Sequence, residues 1–68
     1  MLKADEAKIE WNTDKKRWHV VIQVGGEVIK RWVADSRETG DDALRTVAVQ
    51  TAKDEGYELD PARVSVVK

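Results

Sequence analysis

Cysteine is absent from this chain of 68 residues. With it go disulfides, thiolate nucleophiles and cysteine-ligated zinc or iron–sulfur sites. Phenylalanine is absent too, so three tryptophans and one tyrosine must carry the aromatic packing. The single histidine, His19, cannot by itself assemble a histidine-based metal site or a nucleophile–base pair within one chain. Pro61 is the only proline, and no repeat or low-complexity tract interrupts the chain. No apolar run approaches the length of a membrane span, and the opening stretch MLKADEAKIE is charged, which reads against a signal peptide. These absences point to a cytoplasmic protein that is not an enzyme and holds no cofactor or metal.

What remains is short. The expectation is one domain over residues 1–68, burying about 60% of its unfolded surface. A chain of this size without covalent staples relies on a tidy core or on self-association. The net charge of −1 gives no overall pull toward nucleic acid. Its distribution is uneven: residues 1–14 carry −2, 15–37 carry +4, 38–60 carry −5 and 61–68 carry +2. Such asymmetry orients partners, although two oppositely charged surfaces also simply solubilise a domain.

Residues 7–11, Ala-Lys-Ile-Glu-Trp, alternate apolar and polar, the pattern of a half-buried strand. The polar stretch 12–17 reads as a turn. Residues 18–24 and 27–34 are rich in β-branched side chains and read as two further strands around Gly25-Gly26. Thr39-Gly40-Asp41-Asp42 resembles a capping box, with Thr39 at the N-cap. Leu44, Val47, Ala48, Thr51 and Ala52 then make one helical stripe that leaves Val49 pointing away. Gly56 falls where a helix ends, and Tyr57 can pack back on its last turn. After Asp60-Pro61, residues 63–67 read as a last strand. The predicted fold is α+β with order β-β-β-α-β. An antiparallel three-stranded meander carries one helix on one face, and the final strand joins either edge in parallel.

The glycine pair decides which side chains share a face. A two-residue type I′ turn pairs Val24 with Glu27, Ile22 with Ile29 and His19 with Trp32. Trp18, Val20, Ile22, Val24, Ile29 and Val33 then face the helix, with Arg31 as a misfit among them. His19, Val21, Gln23, Val28, Lys30 and Trp32 face away. A three-residue turn would move every side chain of the third strand to the other face and take Trp32 into the core. The two-residue turn is preferred, because glycine tolerates positive φ without steric cost. The expected core is Ile9, Trp11, Trp18, Val20, Ile22, Ile29, Val33, Leu44, Val47, Ala48, Ala52, Leu59, Val64 and Val66.

Few residues suggest chemistry. A phosphate-binding reading of Gly25-Gly26 needs a helix after the loop, and here a strand follows. Asp41-Asp42, with Asp35 and Glu38 nearby, fits no calcium loop and is accounted for by helix capping. The one candidate surface gathers Lys15, Lys16, Arg17, His19, Lys30 and Trp32. Aromatics on a sheet face stack bases while lysine and arginine hold phosphates. The same face, with Val21 and Val28, also suits a protein partner or a second copy in a homodimer, since tryptophan is enriched at interface cores. The expected function is therefore a non-catalytic interaction module engaging a protein or itself through the outer sheet face. Nucleic acid is the alternative partner; no membrane or small-molecule substrate is implied.

In the order of its elements, the stretch 9–55 resembles the ββα units of YegP-like small bacterial domains. It runs strand, Asp-Lys-Lys-Arg-Trp, strand, Gly-Gly-Glu-Val-Ile, strand, Asp-Asp-Ala-Leu helix, with Gly-Gly where those units have Asn-Gly. The resemblance implies an element order and no activity.

Overall fold

The computed structural model describes residues 2–67. Its elements are β1 (Leu2–Lys3), β2 (Glu6–Asn12), β3 (Arg17–Val24), β4 (Glu27–Val33), α1 (Asp41–Asp54), β5 (Tyr57–Glu58) and β6 (Val64–Val67), with a 3₁₀ turn over Pro61–Arg63 leading into β6. The main sheet has the order β4-β3-β2-β6. The β2-β3-β4 meander is antiparallel and β6 runs parallel to β2. This is the α+β, β-β-β-α-β arrangement read from the sequence, with the last strand on the edge beside β2.

Two short strands were not foreseen. β1 pairs in parallel with β5, and the Ala4 N–H continues that ladder to the Glu58 carbonyl at 2.8 Å. Two-residue strands carry no hydrophobic period, so nothing in the sequence marks them. They tie the N-terminal segment to the chain leaving α1, and Ala4 and Leu59 are buried there.

The hairpin has the two-residue register, with Val24 opposite Glu27, Ile22 opposite Ile29 and His19 opposite Trp32. The turn is not type I′, however. Of the pair only Gly25 has a positive φ, at 57°. One positive φ at the first central position is the pattern of a type II′ turn, which keeps the same loop length and register. The Asp5 carboxylate accepts the Gly25 N–H at 2.8 Å and anchors the turn. The preceding hairpin turns through residues 13–16. There Asn12 Oδ1 accepts the Lys15 N–H at 2.8 Å, and Lys16 takes a left-handed φ of 53°.

The helix begins one residue later than the capping-box reading. Gly40 is the N-cap, with no side-chain bond, and its carbonyl accepts the first helical bond from Leu44 N–H at 2.9 Å. Thr39 is instead held by a turn, its N–H donating to the Ser36 carbonyl at 3.1 Å. At the other end, Gly56 follows the C-cap with φ 91°, the left-handed position that favours glycine.

α1 lies against β5 and β6, then β2, the 3₁₀ turn and β3. Ile9, Trp18, Val20, Ile22, Leu44, Ala48, Ala52, Leu59 and Val64 are buried between them, joined by Ala4 and Ala7. Trp11, Ile29, Val33, Val47 and Val66, expected in the core, are half-buried around it, because one helix does not span four strands. Val49 does not stand free of the core. It is half-buried, since Tyr57 to Leu59 fold back beside it. Trp18 is fully buried, stacks edge-on against Trp11 at 5.3 Å, and donates its indole N–H to the Ser36 carbonyl at 2.9 Å. That bond pins the loop between β4 and α1 across the end of the sheet. The Arg37 guanidinium in this loop sits 6.0 Å from the Trp11 ring.

Candidate interaction surface

Strand alternation puts Glu6, Lys8 and Glu10 of β2, Arg17, His19, Val21 and Gln23 of β3, and Val28, Lys30 and Trp32 of β4 on the face opposite α1. The register brings His19 directly across from Trp32, and the two rings stack with centroids 4.3 Å apart and planes 20° from parallel. Trp32 nevertheless stays 41% exposed. The preceding hairpin loop delivers Lys15, whose ammonium stands 5.1 Å from the Trp32 ring centroid, within range of a cation–π attraction. Lys15, Arg17 and Trp32 line a shallow recess of about 270 Å³. Val21 and Lys30 are cross-strand neighbours next to the His19–Trp32 pair.

Five of the six residues singled out in the sequence therefore meet at one end of the outer face: Lys15, Arg17, His19, Lys30 and Trp32. Lys16 sits exposed in the adjoining loop, between Lys15 and Arg17. The charge pattern agrees with the placement. The basic stretch 15–37 supplies this end of the face, while Asp41 and Asp42 lie in the first turn of α1 on the other side of the sheet.

Arg31, the misfit of the chosen register, has a specific place. It lies on the helix side of β4, opposite Val20, and its guanidinium forms an ion pair with Glu55 at the helix C-cap. The same guanidinium donates to the Lys30 carbonyl at 2.7 Å. The sequence offered no signal for this, because Arg31 and Glu55 come together only once β4 and the end of α1 are neighbours.

A further recess, of about 640 Å³, opens at the other end of the sheet between Lys3, Asp5, Glu58, Asp60 and Arg63. It mixes charges of both signs. Among the described residues no group of three histidine, aspartate or glutamate side chains is placed to hold a metal ion. Asp42 pairs with Arg45 one turn on, at 3.4 Å. No helix among the described residues is long and apolar enough to cross a membrane.

Comparison with protein-family models, with curated proteins and with solved structures gives no match.

Proposed function

We propose that this protein is a non-catalytic, cytoplasmic interaction module that engages a protein partner through the outer face of its sheet. The observation that carries the reading is Trp32, 41% exposed and stacked on His19 on a face that no helix among the described residues covers. A rigid aromatic pair costs little conformational entropy to dock, and tryptophan and arginine are the commonest anchors of protein interfaces. Val21 and Val28 extend the apolar strip, and Val28 is 53% exposed. The module acts on a second copy of itself or on another protein. Sedimentation equilibrium and binding assays on wild type and Trp32→Ala test this. The reading expects association that weakens when Trp32 is removed. A protein monomeric at high concentration, with every binding partner indifferent to Trp32→Ala, would contradict it.

A second reading has its own observation. Lys15 over the Trp32 ring, with Arg17 lining the same recess, is an arrangement suited to an unstacked base and its phosphate. It expects single-stranded oligonucleotides to quench tryptophan fluorescence in about 50 mM salt, and the binding to fall as salt rises. Replacing Lys15, Lys16 and Arg17 by alanine abolishes that binding on this reading. No binding to DNA or RNA under those conditions disposes of it.

A further inference from the structure

We infer that the open edge of β4 pairs with the same edge of a second copy, antiparallel and centred on Ile29, to join two four-stranded sheets into one. The inference rests on the reading that the protein works by association, and it names the partner and the register.

β4 ends the sheet, and five of its seven residues are exposed. The two-residue turn makes Val24 and Glu27 a hydrogen-bonded pair. Alternation then turns the N–H and C=O of Glu27, Ile29, Arg31 and Val33 toward β3, and those of Val28, Lys30 and Trp32 toward the open edge. Two contacts agree with this parity. The Gln23 carbonyl faces away from Val28 and accepts the Asp5 N–H at 2.8 Å. The Lys30 carbonyl, on the open side, is reached by the Arg31 guanidinium.

Only edge-facing residues bond one another across a two-fold axis, so the registers over the middle of the strand centre on Ile29, Lys30 or Arg31. Centring on Lys30 sets Lys30 against the partner's Lys30, on a face already basic from Lys15 and Arg17. Centring on Arg31 sets two guanidinium groups directly opposite. Like charges facing each other across strands are destabilising. Centring on Ile29 sets Ile29 against the partner's Ile29, and Glu27 against the partner's Arg31 twice over. Trp32 comes beside the partner's Gly26, where no side chain obstructs the indole. β4 is thus complementary in charge to itself in this register alone.

Pairing requires an exchange at Arg31. The Lys30 carbonyl must accept the partner's Val28 N–H, so the guanidinium leaves it and meets the partner's Glu27. The Arg31–Glu55 pair holds that guanidinium in the single copy and so competes with the dimer.

Sedimentation equilibrium from about 10 μM to about 1 mM, with amide hydrogen exchange at both ends of the range, tests the register. The inference expects a dimer whose Val28, Lys30 and Trp32 amides gain protection with concentration. Glu27→Arg weakens it about tenfold or more, because two attractive pairs become repulsive. Adding Arg31→Glu to that variant restores it, and Glu55→Gln tightens the wild-type dimer. A monomer throughout the range, or a dimer indifferent to Glu27→Arg, overturns the inference. A dimer dissolved by Val21→Asp but not by Glu27→Arg also overturns it, while upholding association through the outer face.

Discussion

Trp18 and Trp32 are the same residue type with opposite fates, and the difference comes from the length of one turn. Trp18 lies on the helix side, fully buried, with its indole N–H bonded to Ser36. Trp32 lies on the outer side against His19. Replacing Trp18 by alanine removes about 3–5 kcal/mol. A chain of 68 residues has roughly 3–10 kcal/mol in total, so circular dichroism should find Trp18→Ala largely unfolded. Trp32→Ala, in an exposed site, should shift the thermal midpoint little. Two backbone positions give a paired prediction. Gly56 has φ 91°, so Gly56→Ala should cost about 1–2 kcal/mol in denaturant unfolding. Lys16 has φ 53° with a side chain to strain, so Lys16→Gly should gain about 1 kcal/mol or less. Gly56 was legible from its place after the helical stripe. Lys16 was not, because lysine gives no sign of a left-handed backbone.

The long elements were legible because each has a period. β2 alternates, α1 repeats an apolar stripe, and the β-branched content of β3 and β4 exceeds what a helix favours. What the sequence hid were features set by partners distant in the chain. β1 and β5 exist through each other, and Arg31 is placed by Glu55. The helix start was misplaced by one residue: the Thr39 N–H donates to Ser36 in a turn, and the Gly40 carbonyl accepts the first helical bond. Gly40 has extended backbone angles that serine adopts freely, and a Cβ there would meet nothing within 4 Å. Gly40→Ser should therefore supply the missing cap bond and raise stability by about 0.5–1 kcal/mol, read by thermal or urea unfolding. No change, or a loss, would place the helix start elsewhere.

At the scale of the molecule, β4 and β6 end the four-stranded sheet and α1 lies on one of its faces, so among the described residues no helix lies on the other face. The helix buries β2, β3 and β6, and the half-buried rim of Ile29 and Val33 marks where that cover ends. Five of the six candidate side chains lie toward one end of the outer face, since strand alternation and a two-residue turn fix faces once the register is chosen. Their contacts, the stacked His19–Trp32 pair and the Lys15 ammonium above it, needed the structure. Both functional readings and the edge pairing depend on that register. Indole N–H exchange in deuterated water, followed by ¹H–¹⁵N spectra of dilute protein, tests it most directly. The account predicts that the Trp18 signal persists, held by Ser36, and that the Trp32 signal is the first of the three to vanish. A protected Trp32 indole beside a rapidly exchanging Trp18 would contradict it.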